Sequence, residues 1–205
     1  MSIASIRAAI IRKWLNAFER HKIAKQGTCE IRLFYSLPRA FEIQVDKLVK
    51  EGFGDSILED RYFSVPYAHL LAIERGEVIG VTRLFKRLIV FNRKTLTVGG
   101  FGSLTTKGKK RRVGVATALL KRGMRDFGMQ NFDIAFLCTD INNPAMIRLY
   151  CRVGFVPLGK PYTYTGKSGL RYVEHNGMVA PVKSMDKLKY IVSGKEPLDI
   201  GAGSW

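Results

Sequence analysis

The stretch Arg111-Arg112-Val113-Gly114-Val115-Ala116 decides how this chain is read. Lys107-Gly108-Lys109-Lys110 precedes it and a helical pattern follows, with apolar or small residues at Ala116, Leu119, Leu120, Gly123, Met124 and Phe127 on one face. Lys121, Arg122, Arg125 and Asp126 fall on the other face. A glycine just before such a helix lets the backbone turn tightly, so unpaired N–H groups of the first turn can point at one anion. The basic side chains of the preceding loop add charge at the same place. The segment reads as a diphosphate cradle; the alternative is a lysine-rich surface loop that contains a glycine. It is neither common nucleotide loop. No Gly-x-x-x-x-Gly-Lys-Ser/Thr occurs, and Gly100-Phe101-Gly102 lacks a third glycine and a following helix.

A second segment points the same way. Residues 132–139 (Phe-Asp-Ile-Ala-Phe-Leu-Cys-Thr) form a nearly continuous apolar run, as expected of a strand buried on both faces. Asp140-Ile141-Asn142-Asn143-Pro144 supplies a helix cap and a proline at the first helical position. The helix over 145–153 ends at Gly154, the usual residue after a helix C-terminus, and Phe155 follows.

These two segments resemble the GCN5-related N-acetyltransferases, the GNAT superfamily. Arg111, Gly114 and Ala116 fill its acyl-CoA signature, and Asn143, Ala145, Leu149, Tyr150, Gly154 and Phe155 fill its second hallmark downstream. The resemblance implies an α/β GNAT fold, with a mixed central sheet of about six to seven strands splayed at the acyl-CoA site and flanked by helices. It implies acetyl-CoA, or another short acyl-CoA, as co-substrate. The residues it assigns to that co-substrate are Gly102, Ser103, Leu104, Thr105, Thr106, Arg111, Arg112, Val113, Gly114, Val115, Ala116 and Asn143. Tyr150 stands where the superfamily commonly keeps a tyrosine whose hydroxyl can protonate the departing thiolate; the alternative is an aromatic packed into the core. The strand glutamate that many members use as base has no counterpart in Val98-Gly99-Gly100-Phe101-Gly102-Ser103-Leu104. A water chain, Glu174 or His175 is left for that role, or selection of the small neutral fraction of the amine, which needs no base.

Around these motifs the order reads as one α/β domain over 29–205, preceded by a basic amphipathic extension over 1–28. Strand 30–37, helix 38–53 and a short helical or irregular region 55–67 come first. A hairpin of strands 69–74 and 78–92 follows, then strand 94–106, whose Gly99, Gly100 and Gly102 require a bulge or a close ligand approach. After the two motif helices, 156–166 and 171–182 make a final pair of strands. In the extension, Ile3, Ile6, Ile10, Ile11, Trp14, Leu15 and Phe18 keep helical spacing with Arg7, Arg12, Lys13 and Arg20 between them. A mitochondrial presequence, a membrane-surface helix and a helix packed on the domain or on a second copy all fit that pattern.

With 205 residues and 46% hydrophobic content, the chain suits one domain with a substantial core. Cys29, Cys138 and Cys151 form no Cys-x-x-Cys pair, and one would be left over, so neither zinc nor a disulfide framework is indicated. Cys138 and Cys151 are expected to be buried thiols. A reducing, cytoplasmic setting follows, no run is long enough to span a membrane, and no metal is expected.

Beyond the superfamily, the chain is similar to aminoglycoside 2′-N-acetyltransferases in residues 68–76, in 54–60 before them, in 174–179 and in the final Asp199-Ile200-Gly201-Ala202-Gly203-Ser204-Trp205. That resemblance implies Asp55, Glu59, Asp60, Glu174 and the terminal Trp205 carboxylate as contacts to a polyamine sugar. His175 and Asn176 depart from it, standing where the family tends to be acidic. The net charge of +17 opposes a polycation at long range and attracts phosphates, nucleic acid or anionic membranes. The expected activity is acyl transfer to an amine by direct attack. The other class is a catalytically impaired module that binds RNA, ribosome or anionic membrane through its basic face. An anionic partner and a homodimer both belong among the expectations.

Overall fold

The computed structural model describes residues 29–54 and 60–205, so the extension 1–28 and the residues Asp55 and Glu59 lie outside the described residues. The chain runs β1 (Cys29–Phe34), α1 (Arg39–Phe53), β2 (Ala68–Glu74), β3 (Glu77–Phe91), β4 (Lys94–Thr106), α2 (Val115–Met129), β5 (Ile134–Cys138) and α3 (Pro144–Val153). It continues through β6 (Val156–Pro157), β7 (Tyr162–Thr165), β8 (Arg171–Glu174), β9 (Gly177–Pro181), α4 (Met185–Ser193) and β10 (Leu198–Ala202). Seven strands form a mixed sheet in the order β1-β2-β3-β4-β5-β9-β6, and a second sheet of three has the order β10-β7-β8. Within the large sheet only β4 and β5 pair in parallel.

Local chemistry explains the elements at the centre. Ile134 to Leu137 are all buried, which is why β5 shows no polar alternation. Asn143 caps α3, its Oδ1 accepting from the backbone N–H of Ala145 and Met146, and Gly154 at φ 102° ends the helix in the left-handed region. Gly114, at φ 95°, turns the chain into α2 with no side chain capping the first turn.

Each face of the large sheet is covered. On one face α2 and α3 close over Leu70, Leu84, Phe101, Ala135 and Leu137, and Phe127 meets Phe101 edge-on at 4.9 Å and Phe132 at 5.0 Å. On the other, α1 places Val45, Leu48 and Val49 against Leu71, Ile73 and Val81. The small sheet and α4 cover the rest of that face through Tyr162, Leu188, Ile191, Leu198 and Trp205, set against Phe85, Val98 and Phe136. Each such large apolar side chain contributes roughly 1.5–3 kcal/mol on burial.

The structure corrects the C-terminal third. The expected final pair of strands is four short strands shared between two sheets, and α4 and β10 follow them. Pro157, Gly159 and Pro161 break 156–166, and the chain turns there from the large sheet to the small one. The opening strand also stops at Phe34, three residues before its expected end. Cys151 is exposed rather than buried, since the apolar face of α3 is carried by Tyr150 and Val153; Cys138 is partly buried.

Helix α2 lies so close to the sheet that a Cβ on Gly123 would sit 2.3 Å from the Phe101 ring. Gly128 in the same helix is exposed, and a Cβ there would meet nothing within 4 Å. The same substitution should therefore have opposite signs. Gly123→Ala is expected to cost about 1–3 kcal/mol through overpacking. Gly128→Ala is expected to gain about 0.5–1 kcal/mol through reduced backbone entropy in the unfolded chain. Urea denaturation of the two variants checks both.

Candidate active site

The site begins where β4 and β5 part. Their parallel register covers Val98↔Ile134, Gly99↔Ala135 and Gly100↔Phe136, and stops there. Past that point β5 pairs only on its other side, Leu137↔Met178 and Cys138↔Gly177. On the β3 side the register slips, from Arg83↔Gly102 to Val81↔Thr105, so Ser103 and Leu104 form a bulge with Ser103 at φ 51°. Thr82, fully buried, steadies the bulge by donating its hydroxyl to the Gly102 carbonyl at 3.0 Å. The backbone from Gly102 to Thr106 thus has no strand along its β5 flank, and its polar groups on that side face an opening.

The glycines of β4 answer to neighbours on both faces. A Cβ on Gly99 would meet the Phe127 ring at 2.7 Å, one on Gly100 the indole of Trp205 at 2.4 Å, and one on Gly102 the main-chain carbonyl carbon of Trp205 at 2.7 Å. Of the two alternatives expected of this strand, the bulge is present, and the close approach is made by the protein itself. The approaching groups are Phe127 and Trp205. The Trp205 ring stacks on Phe85 at 5.7 Å and meets Phe136 edge-on, while the Arg87 guanidinium lies 4.2 Å over it.

At the open end of β5, the Cys138 thiol donates to the Trp205 carbonyl at 3.6 Å and lies 3.8 Å from the Ser204 hydroxyl. Burial pushes this thiol above its ordinary pKa, so it stays protonated at neutral pH. Tyr150 reaches the same place from α3. It is 5% exposed, packs against Phe155 at 6.1 Å, and lies near Cys138 and Thr139 at the strand end. Burial raises its phenol pKa, which keeps the proton on the oxygen. Tyr150 is therefore buried in the core, close to the residues that end β5.

On the other side of the opening, Val115, Ala116 and Thr117 begin α2 without a side-chain cap, and the first backbone bond, Ala118 N–H to Gly114 carbonyl at 2.9 Å, closes behind them. The first-turn N–H groups are left without an intrahelical or side-chain partner. Arg111, Arg112 and Val113 are exposed around them. Two lysines of the loop are held by acids of the β2–β3 hairpin: Lys110 pairs with Glu74 at 2.5 Å and Lys107 with Glu77. Asn143, expected at the co-substrate, spends its side-chain oxygen on capping α3.

The described acids expected at the acceptor are engaged within the protein. Asp60 accepts from the Ser168 hydroxyl at 2.8 Å, the Ser168 N–H at 2.6 Å and the Tyr172 hydroxyl at 2.9 Å, and these bonds, Ser168 foremost, hold its carboxyl below the usual range. Glu174 accepts from Tyr162 and Tyr164, both at 2.6 Å, and from Arg61 at 3.3 Å. Tyr162, Tyr164 and Tyr172 stack in a row, with centroids 6.0 and 5.2 Å apart. Sequence reasoning missed this row; the alternation Tyr162-Thr163-Tyr164 was its signal. Arg87 was missed too, having no local signature. Among the described residues no group of three or more His, Cys, Asp or Glu is placed to hold a metal, and no helix is long and apolar enough to cross a membrane.

Known proteins match this geometry. A family model described as an acetyltransferase (GNAT) domain matches residues 38–158. The GNAT family N-acetyltransferase YhbS of Escherichia coli, solved in complex with CoA, superposes with a TM-score of 0.58 at 19% identity, over 87% of this chain and 93% of that one. Escherichia coli ElaA gives 0.54 at 13% identity, over 75% and 99%. The ribosomal-protein-S18-alanine N-acetyltransferase of the same organism gives 0.53 at 14%, over 76% and 96%. At such identities the structures speak for the fold alone. No curated protein matches the chain. The family model spans more than half of the sequence, across the splayed strands, the Gly114 turn and Tyr150, and the chain belongs to the GNAT acetyltransferase family.

Proposed function

We propose that this chain transfers an acyl group, acetyl in the first instance, from acyl-CoA to an amine by direct attack in a ternary complex. The observation that carries this reading is the parting of β4 from β5 beyond Gly100 beside the uncapped start of α2 at Gly114. Main-chain groups of Gly102, Ser103, Leu104, Thr105 and Thr106 would hold the pantetheine arm. Arg111, Arg112 and the N–H groups from Val113 to Ala116 would hold the diphosphate. In such a site the amine lone pair attacks the thioester carbonyl, the C–S bond breaks, and Tyr150 protonates the thiolate. Cys138 is unsuited to a covalent route, because burial keeps it a thiol. β4 carries no carboxylate, so the acceptor's proton must leave through other elements; Glu174, 2.6 Å from the Tyr162 hydroxyl, supports one such route. An intact Gly114 loop together with Tyr150 supports catalysis over a binding module.

The polyamine acceptor rests on Asp55, Glu59, Asp60, Glu174 and Trp205. Asp60 and Glu174 already have protein partners for their oxygens, which supports an amine acceptor held by other groups. Residues 29–205 are proposed as the catalytic unit. Three free cysteines support a reducing compartment such as the cytoplasm.

Three variants test the reading. Gly114→Glu forces a side chain onto a residue at φ 95° and sets a negative charge in the cradle, so acetyl-CoA affinity measured by calorimetry should be lost. Tyr150→Phe keeps the ring and removes the donor. Turnover should fall about 10- to 1,000-fold with cofactor affinity nearly unchanged, whereas a purely packing role predicts normal turnover. Cys138→Ala should retain turnover; isolation of a turnover-competent acylated enzyme would overturn direct attack.

A further inference from the structure

Helices α2 and α3 pack side by side on one face of the large sheet, and their charge has one sign. Outside their apolar stripes they carry Lys121, Arg122 and Arg125 on α2 and Arg148 and Arg152 on α3. The one acid in either helix, Asp126, is 3% exposed and accepts from Tyr67 and Gln130, both at 2.7 Å. The other helices are mixed. α1 balances Arg39, Lys47 and Lys50 against Glu42, Asp46 and Glu51, and α4 sets Asp186 beside Lys187 and Lys189.

Acids that border the α2–α3 layer are occupied. Asp133 accepts from the Thr97 N–H at 2.8 Å and pairs with Lys187 at 3.8 Å, and Asp140 accepts from the Asn142 N–H at 2.9 Å. Glu74 and Glu77 hold Lys110 and Lys107. The five cations of the two helices have no ion pair among the described residues. Lys121 and Arg125 stand one turn apart, opposite the buried Leu119, Gly123 and Phe127; Arg148 and Arg152 do the same opposite Tyr150 and Val153. Arg125, Arg148 and Arg152 are exposed, and Lys121 partly so. Packed helices lie about 8–10 Å apart, so the pairs form two rows on one surface.

Four of the five cations are arginines, whose planar fork matches the oxygens of a phosphate. Two observations choose among phosphate-bearing partners. A membrane-docking helix sets large apolar side chains against lipid. Here Thr117, Ala118 and Gly128 share the outer side of α2, and Met129, its last residue, is the one large apolar side chain exposed on either helix. Unpaired bases need aromatic platforms, and the aromatics of these helices, Phe127 and Tyr150, are buried. A regular phosphate backbone is left, and a duplex carries one charge for about every 1.7 Å of its axis.

We infer that the outer face of α2 and α3 docks a double-stranded nucleic acid through its phosphates, without reading its sequence. The acyl-CoA loop adjoins this face only at the start of α2, so the two sites are separable.

The test is fluorescence anisotropy of labelled RNA and DNA duplexes with the full chain over a salt titration. Both duplexes should bind, with the log of affinity falling linearly with the log of salt. Arg148→Gln with Arg152→Gln should weaken binding at least tenfold at low salt and flatten that slope by about 2, the share of two phosphate contacts. Lys121→Gln with Arg125→Gln should do the same from the other helix. Arg39→Gln with Lys47→Gln, an equal charge change at exposed positions of α1, should leave slope and affinity as they were. Acetyl-CoA affinity, measured by calorimetry, should be unchanged in all three variants. Equal losses from the α1 and α3 variants, a slope unmoved by either α2 or α3 variant, or a parallel loss of acetyl-CoA affinity would overturn the assignment. Displacement of the duplex by phosphatidylserine vesicles at equal phosphate concentration, or tighter binding of single strands, would overturn it as well.

Discussion

Three parallel residue pairs hold β4 to β5, and past Gly100 nothing does. The parting has to be enforced, because two strands side by side would otherwise continue to pair. Enforcement comes from the β3 side. The bulge at Ser103 and Leu104 turns β4 away on one side, with Thr82 fixing the turned carbonyl. On the other, β5 ends at Cys138, two residues past its last pair with β4, while its far edge stays paired with β9 throughout. The uncapped start of α2 and the end of β5, near which Tyr150 is buried, lie on either side of this opening.

Trp205 is the wedge that keeps the underside filled. Its ring takes the volume that a side chain at Gly100 would have occupied and its main chain the volume at Gly102, so those glycines serve packing as well as backbone freedom. Arg87 clamps the segment leading to it through two carbonyls and lies over the indole, a cation–π contact worth up to about 2 kcal/mol when desolvated. The residue that seals the core of the small sheet thus also shapes the wall of the opening. Stability and site geometry share one side chain.

Much of this was legible because its causes are local. The Gly114 turn, the Asn143 cap with Pro144, the Gly154 stop and the apolar run of β5 each announce themselves within a few residues. The C-terminal third did not. Its strands are four or five residues long, or two in β6, and nothing within them says which of two sheets they join. The partners of Asp60, Ser168 and Tyr172, lie more than 100 residues away, and Glu174 is reached by Arg61 from as far and by Tyr162 and Tyr164 only across a strand pair, so both acids read as free. The glycines of β4 signalled a close approach, but only the folded chain shows that Phe127 and Trp205 make it.

The open flank of β4 also has a cost that concerns the protein's behaviour in a crowded solution. A strand with unsatisfied N–H and C=O groups along one side is an edge, and edges recruit strands from other molecules. Here the edge lies inside the sheet, between two walls, and its bulge spoils the flat template that a foreign strand needs. A ligand lying along that flank removes the edge altogether. Ligand at 100 times its dissociation constant adds about 2.7 kcal/mol to the folded state. Occupancy of the opening and resistance to aggregation are, for this architecture, the same variable.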